Sequence, residues 1–176
     1  MKVTMVLVSS LNGKITRNDD TNINLWTSKE DAKFFSLLRD KHKLIVMGRK
    51  TYNSIHDKIK LQPDKLRVVL TKNPAKYSNY AKKGLLEFTN ENPTKLLKRL
   101  ESKGYKNCLL VGGSEITALF LQSSLIDEIY LTIEPKIFGK GRSMLAEDNF
   151  EIQLKFISAK KLNSQGTLLL KYKVQK

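Results

Sequence analysis

Short apolar runs alternate with amphipathic segments along the chain, and this alternation predicts strands that are followed by helices. The early runs are continuous rather than alternating, which is typical of strands buried on both faces of a sheet. The predicted strands cover residues 3–8, 44–47, 67–71, 85–88, 108–111, 128–133, 152–157 and 167–174. The predicted helices cover residues 28–41, 50–55, 93–103 and 114–122.

Local signals support these helix boundaries. Asn92 precedes Pro93 at the start of the third helix, and Gly104 follows its last turn. Ser28 and Asp31 have the spacing of a capping box at the start of the first helix.

Strands that alternate with helices predict an α/β fold, and we expect one domain over residues 1–176. The central sheet should be mostly parallel, with about eight strands and flanking helices. The last two strands have no helix between them. We therefore expect a C-terminal antiparallel strand pair.

Composition narrows the class of protein. Of 176 residues, 40% are hydrophobic and 28% are charged, which is typical of a soluble globular protein. No apolar run approaches the roughly 18 residues of a membrane span, so we expect no membrane partner. Cys108 is the one cysteine, which excludes an intrachain disulfide and favours a cytoplasmic location. His42 and His56 are the only histidines and lack metal-ligand spacing, so we expect no metal.

The net charge is unusual. Lys and Arg number 32 against 17 Asp and Glu, which gives +15 and favours anionic partners. The basic residues are spread along the chain rather than clustered with aromatic residues, which disfavours a nucleic-acid partner. A lysine-rich solvated surface explains the charge equally well.

Two predicted strand ends run into turns that suit an anion. Gly48 precedes the cations Arg49 and Lys50, and Gly112 and Gly113 precede the fourth helix. Free backbone N–H groups at a helix start favour an anion, and we expect positive φ at Gly113 to permit a close approach. A third strand ends at Thr71-Lys72. Together they predict an anion site at the carboxyl edge of the sheet, although glycine at such turns is often ordinary turn chemistry.

Several segments then resemble the dihydrofolate reductase superfamily. Residues 47–55 (MGRKTYNSI) resemble its cofactor-binding stretch, residues 111–116 (VGGSEI) its double-glycine turn, and residues 130–132 (YLT) the strand that follows. The family's spacing of tryptophan, acid and phenylalanine is repeated at Trp26, Asp31 and Phe35. The resemblance extends over nearly the whole chain and implies a dihydrofolate-reductase-like fold.

The superfamily has a second branch, the reductase domain of riboflavin biosynthesis. Residues 10–16 and 125–145 resemble that branch more closely, with Asn12 in place of its aspartate. Lys65 and Thr117 stand where the folate branch has an arginine and a tyrosine. Both branches therefore stay open as sources of the substrate.

The resemblance implies an NADPH cofactor, and it implies site residues of three kinds. The catalytic residues would be Asp31, Trp26 and Thr132. The cofactor-binding residues would be Val8, Ile15, Gly48, Arg49, Lys50, Thr51, Thr71, Lys72, Gly112, Gly113, Ser114, Glu115 and Ile116. The substrate-binding residues would be Val6, Asp31, Phe35, Ile55, Lys65 and Thr132.

Each catalytic residue also has an ordinary structural interpretation. Asp31, Phe35 and Leu38 share one helix face, and a carboxylate among apolar neighbours would have a raised pKa. Asp31 could instead complete the capping box with Ser28. Thr132 could be an ordinary strand threonine, and Trp26 could close the edge of the core.

Three functions follow. The first is reduction of dihydrofolate to tetrahydrofolate. The second is reduction of 5-amino-6-(5-phosphoribosylamino)uracil or a related heterocycle. The third is a basic nucleic-acid-binding module on a reductase fold, which the +15 charge alone suggests. The first two imply a small-molecule heterocyclic partner, and a homodimer is left open.

Overall fold

The computed structural model describes residues 1–176 and contains eight strands and four α-helices. The strands are Lys2–Ser10 (β1), Leu44–Gly48 (β2), Leu66–Leu70 (β3), Leu86–Thr89 (β4), Asn107–Leu110 (β5), Glu128–Glu134 (β6), Leu154–Lys161 (β7) and Leu168–Val174 (β8). The α-helices are Lys29–Lys41 (α1), Arg49–Ile55 (α2), Pro93–Ser102 (α3) and Ser114–Gln122 (α4). None of them is long and apolar enough to cross a membrane.

The strands form one sheet in the order β4-β3-β2-β5-β1-β6-β8-β7. The pairs from β4 through β1 to β6 are all parallel, whereas β8 pairs antiparallel with both β6 and β7. The predicted fold class is therefore confirmed, including the C-terminal antiparallel pair. β1 lies in the middle of the sheet, where the chain order reverses between its neighbours β5 and β6.

Apolar side chains cover both faces of the sheet unequally. Eighteen buried residues, including Leu96 and Leu100 of α3 and Phe120 of α4, form the core on one face. Eight buried residues, including Tyr52 of α2, form a smaller core on the other face, where α1 also packs. Alternate residues of the inner strands belong to the two cores, as expected for strands buried on both sides.

The structure differs from the predicted elements in the bounds of one strand and in three short 3₁₀ segments. β7 extends to Lys161, four residues beyond the predicted end, and it begins two residues later than predicted. It is an edge strand with mostly exposed side chains, so it lacks the apolar pattern that marks a strand end. Three 3₁₀ segments, Ile23–Leu25, His56–Lys58 and Pro74–Tyr80, occupy stretches for which no element was predicted.

Candidate active site

A cavity of about 1800 Å³ opens on the face of the smaller core and reaches the carboxyl ends of the parallel strands. Gly48 at the end of β2, Thr71 after β3 and Gly113 after β5 all line it. Ligands of open α/β sheets bind at this edge, near the point where the strand order reverses. The strand ends singled out from the sequence therefore meet in one cavity.

The turns after β2 and β5 are held together by their backbones. Gly48 N donates to Gly112 O at 2.8 Å. A Cβ on Gly48 would lie 2.6 Å from Ile116 Cγ1, and one on Gly113 would lie 3.2 Å from Thr51 Oγ1. A Cβ on Gly48 would therefore require Ile116 to move, whereas a Cβ on Gly113 would require only a small shift of the Thr51 side chain.

The positive backbone angle lies one residue earlier than expected. Gly112 has φ of +80°, whereas Gly113 has φ of −78°. The prediction of positive φ at Gly113 is wrong. Gly112 makes the left-handed turn, and Gly113 is left in extended backbone as the residue before α4.

The two helices that start at this cavity lack a side-chain cap. Gly48 precedes α2 and Gly113 precedes α4, and neither supplies a side-chain acceptor for the first N–H groups. By contrast, Ser28 caps α1 and Asn92 caps α3. The backbone donors at the start of α4 are therefore available to an anion in the cavity.

Cations surround these helix starts. Arg49 is exposed and pairs with no carboxylate, whereas Lys50 Nζ lies 2.6 Å from Glu115 Oε1. The Lys50 hydrogen bond holds the pKa of Glu115 below its usual range, and Lys72 and Arg142 add to this effect. Arg142 lines the cavity and was not predicted from the sequence, because it lies in a loop far along the chain. Nine Lys and Arg side chains line the cavity against four Asp and Glu, so part of the +15 charge is concentrated here.

Asp31 lies at the opposite end of the cavity, in the first turn of α1. It is 6% exposed. Burial raises its pKa to about 6; the Thr132 hydroxyl opposes this increase, and the Glu134 carboxylate adds to it. A carboxyl group in this range can exchange a proton near neutral pH.

The capping-box interpretation of Asp31 is wrong. Ser28 Oγ does accept from Asp31 N at 3.2 Å, as a cap should. The reciprocal bond from Ser28 N, however, goes to Glu134 Oε1 at 2.6 Å. The Asp31 carboxylate is therefore not engaged in the helix cap and is available to a ligand.

Glu134 was not predicted as part of the site. It is 2% exposed at the end of β6, and its second oxygen accepts from Thr167 Oγ1 at 2.8 Å. It thus ties the start of α1 to the segment before β8. Its position two residues after Thr132, on the same strand face, is the only sequence signal that could have identified it.

Four predicted site residues lie outside the cavity wall. All the other predicted site residues line the cavity. Gly112 lies behind Gly113, and Thr132 is fully buried with no hydrogen bond of normal geometry to its Oγ1. Trp26 is 2% exposed and packs edge-to-face on Phe138 at 5.2 Å, while its indole N–H has no partner. The structure does not bring these three residues to the cavity surface, and their roles in the site stay predictions.

Lys65 is the fourth residue outside the wall. Its ammonium lies 3.4 Å from Asp40 Oδ1, near the end of α1. The structure does not place Lys65 in the cavity wall, and its contact with substrate stays a prediction. Arg67, two residues later on the strand, does line the cavity, as does Arg39 of α1.

Apolar side chains line the middle of the cavity. Val6 and Val8 of β1, Ile15, Phe35 and Ile55 were all predicted and all lie in the wall. They give the cavity an apolar surface, which suits an aromatic ring. No group of three or more His, Cys, Asp or Glu side chains is placed to hold a metal ion. Cys108 is buried in the larger core, which raises the pKa of its thiol to about 12.

The fold and the cavity together define a protein of the dihydrofolate-reductase-like class. The same fold is found in a Shewanella sp. PV-4 protein ascribed to riboflavin biosynthesis, with a TM-score of 0.80, 21% identity and complete coverage of both chains. It is also found in dihydrofolate reductase from Enterococcus faecalis complexed with NADP(H), with a TM-score of 0.67 and 18% identity over 99% of this chain and 97% of that one.

Within this class, the chain belongs to the RibD C-terminal domain family, which matches residues 1–168. Dihydrofolate reductase of Aedes albopictus is 26% identical over 137 residues, which are 74% of this chain and 72% of that protein. The predicted membership of the dihydrofolate reductase superfamily is therefore confirmed. These relationships support an oxidoreductase of the pteridine or pyrimidine reductase type.

Proposed function

We propose that the chain is an NADPH-dependent reductase of a flat nitrogen heterocycle, with dihydrofolate as the first candidate substrate. The observation that carries this proposal is Asp31, a buried carboxyl group that lines the cavity and takes no part in the helix cap. Its raised pKa suits a group that binds ring N–H groups and exchanges a proton with the ring.

The residues of the glycine turns fit a dinucleotide. The start of α4 has free backbone donors, a Cβ on Gly48 or Gly113 would make tight contacts, and Arg49 has no carboxylate partner. A diphosphate would lie against the α4 donors, and the 2′-phosphate would lie near Arg49 and Lys72. When bound, NADPH supplies the hydride of the reaction.

The protein's own contribution is orientation and proton handling. The apolar wall, which includes Val8 and Phe35, excludes water from the ring and orients it. The Asp31 carboxylate accepts hydrogen bonds from the ring, and a fraction of Asp31 carries a proton on its carboxyl oxygen near neutral pH. Glu134 disfavours the ionised form of Asp31 and so raises that fraction.

A second substrate is supported by the family itself. The RibD C-terminal domain match and the Shewanella sp. PV-4 structure favour a pyrimidine of riboflavin biosynthesis, such as 5-amino-6-(5-phosphoribosylamino)uracil. Asp31 favours the folate branch, whose motif has an acid at this position on the helix.

A steady-state assay tests the proposal. The purified chain is mixed with NADPH and either dihydrofolate or the phosphoribosylaminouracil, and oxidation of NADPH is followed by its absorbance. We expect substrate-dependent oxidation with one of the two and much slower oxidation with NADH. Tight NADPH binding with no oxidation by either heterocycle would contradict the proposed reaction while leaving the cofactor site intact.

A further inference from the structure

Glu134 is a buried carboxylate that is bonded to two distant segments of the chain. It ends β6 and is 2% exposed. Its Oε1 accepts from Ser28 N at 2.6 Å, and its Oε2 accepts from Thr167 Oγ1 at 2.8 Å. Both oxygens accept, which is the pattern of an ionised carboxylate. Lys136, the nearest cation along the chain, directs its ammonium to Trp26 O at 2.6 Å instead. Two uncharged donors therefore hold this buried charge.

The turn between β7 and β8 continues this chain of hydrogen bonds. Asn163 Nδ2 donates to Thr167 Oγ1 at 2.9 Å, and Asn163 Oδ1 accepts from Thr167 N at 3.1 Å. The second bond fixes the orientation of the amide, because a backbone N–H can only donate. Thr167 Oγ1 therefore accepts one proton and directs its own toward Glu134. Thr167 is 1% exposed, so it is a fixed donor to the carboxylate and not one that alternates with water.

The same turn also reaches the first turn of α1 directly. Asn163 Nδ2 donates to Glu30 Oε2 at 3.2 Å. The start of α1 is thus held at two points, at Ser28 by Glu134 and at Glu30 by Asn163. Asp31 follows Glu30, and its backbone N–H donates to Ser28 Oγ at 3.2 Å. The turn that carries Asp31 is therefore tied to the end of β6 and to the turn before β8.

Glu134 also acts on Asp31 through its charge. Burial is the main cause of the raised pKa of Asp31, and the Glu134 carboxylate adds to it. The other charged groups of the surrounding elements are engaged elsewhere. Glu30 is exposed and bonded to the turn before β8, and Lys136 is bonded to a backbone carbonyl. Arg39 lies about two turns further along α1 and is bonded within its own helix.

We propose that Glu134 and Thr167 are positioning residues of the reaction, which hold the first turn of α1 and place a second negative charge near the Asp31 carboxyl group. The inference rests on the proposed function for its kinetic consequence, and it adds the segment between the last two strands to the machinery that orients Asp31. Substitution separates the two effects. Thr167→Val removes a hydrogen bond and keeps the charge, whereas Glu134→Gln removes the charge.

The first experiment measures the effect of the charge and needs no ligand. The carboxyl carbon of Asp31 is followed by NMR during a pH titration. We expect Glu134→Gln to lower the pKa of Asp31 by about 0.5 or more, because a neighbouring negative charge is lost. Glu128→Gln is the matched control, since it removes a carboxylate from the other end of β6, roughly 20 Å away, and should leave this pKa unchanged. An unchanged pKa in Glu134→Gln, or equal changes in both variants, would overturn the proposal.

The second experiment measures position and leaves the charge in place. Amide hydrogen exchange at Ser28 and Asp31 is compared in the wild type, Thr167→Val and Thr167→Ser. We expect both amides to exchange roughly tenfold faster in Thr167→Val, because Glu134 loses one of its two donors. Thr167→Ser keeps the hydroxyl and should exchange like the wild type. Equal rates in all three proteins would contradict the role of Thr167, and this measurement decides the matter if Glu134→Gln does not fold.

The third experiment connects both effects to turnover of the heterocycle that the wild type reduces. A reaction that needs protonated Asp31 slows as the pH rises through its pKa. In Glu134→Gln this limb of the kcat profile should move to lower pH by the change that the NMR titration shows, with KM for NADPH unchanged. Thr167→Val should lower kcat about tenfold without moving the limb, and Thr167→Ser should restore it.

The kinetic outcomes separate positioning from a merely structural role. A loss of kcat in Glu134→Gln with no movement of the limb would mean that Glu134 only stabilises the fold, which contradicts the proposal. The NMR titration and the exchange rates are measured without cofactor or substrate. If neither heterocycle is reduced, the proposed function fails, while those two measurements still decide whether Glu134 and Thr167 hold Asp31.

Discussion

The two ends of the cavity are built from different parts of the chain. At the end proposed to hold the cofactor (the cofactor end), backbone atoms form the site: Gly48 and Gly112 are hydrogen-bonded to each other, and α4 begins without a side-chain cap. The charged side chains there are on the surface. At the substrate end, single buried charges form the site, with Asp31 and Arg67 both about 95% covered.

The two ends should therefore be sensitive to different kinds of substitution. A backbone-built end depends on the absence of side chains, so exposed cations around it contribute modestly, whereas any added Cβ is harmful. An end that is built from side chains depends on particular charged groups. Because these groups are buried, each of them also lowers the stability of the folded state. The following substitutions test that contrast, from the largest expected effect to the smallest.

Replacing the buried acid should have the largest effect on the reaction. Asp31→Asn keeps the size of the side chain but removes its negative charge and its exchangeable proton. We expect turnover to fall about 10²–10⁴-fold, the usual contribution of a positioned acid–base group, with NADPH affinity retained. The matched control is Glu30→Gln, which neutralises the exposed carboxylate beside it. Normal turnover in Asp31→Asn would remove Asp31 from the mechanism.

The same substitution should stabilise the protein at neutral pH. The native pKa of Asp31 is about 6, above the roughly 3.9 of an unfolded aspartate, so the native state holds the proton more tightly. Ionising Asp31 therefore destabilises the native state, by an amount that is absent below about pH 4, grows toward pH 6 and is constant above it. We expect Asp31→Asn to gain up to about 2–3 kcal/mol above pH 6.

Denaturant unfolding at about pH 8 and about pH 4 measures this gain. The difference between the variant and the wild type should be present at the higher pH and should shrink at the lower one. If the difference in unfolding free energy is the same at both pH values, or if the variant is less stable above pH 6, the charge of buried Asp31 does not destabilise the native state.

A side chain at the glycine turn should weaken the cofactor end. In Gly113→Val the new side chain would meet Thr51 Oγ1 and project toward the space for the diphosphate. We expect NADPH to bind roughly tenfold to a hundredfold more weakly, in line with the cost of overpacking. Titration of cofactor fluorescence measures this. Gly139→Val is the control because a Cβ on Gly139 meets nothing within 4 Å.

An exposed cation should have the smallest effect. Arg49→Ala removes a charge that has no carboxylate partner, and we expect NADPH affinity to fall about tenfold because one charge-assisted bond to phosphate is lost in a solvent-exposed place. NADH affinity should hardly change. Lys98→Ala, on the outer side of α3, controls for the general loss of positive charge. Equal losses for both cofactors would contradict the 2′-phosphate assignment.

The sequence predicts the cofactor end better than the substrate end for a physical reason. Glycines, caps and strand–helix turns act over a few residues, so Gly48, Gly113 and the helix starts could be recognised from local patterns. The strands and helices of the inner sheet were predicted to within about two residues for the same reason. The edge strand β7 and the 3₁₀ segments lack such signals and were predicted poorly or not at all.

The roles of buried charges depend on partners that are distant along the chain. Arg67 looks like an ordinary strand-initiating arginine until its neighbours Ile45 and Leu86 are known. Glu134 lies 106 residues from Ser28, yet it accepts the Ser28 N–H hydrogen bond that Asp31 would accept in a capping box. No local pattern contains these pairings, so the sequence alone left the capping-box and catalytic interpretations of Asp31 unresolved.

The central place of β1 has a consequence for the synthesis of the protein. β1 is translated before both of its partners, since β5 lies about 105 residues later and β6 later still. At roughly 5–20 residues per second, a strand that is almost wholly buried in the folded protein leaves the ribosome and stays unpaired on both edges for roughly 5–20 s. The emerging chain therefore exposes an unpaired, aggregation-prone strand edge until β5 and β6 are made.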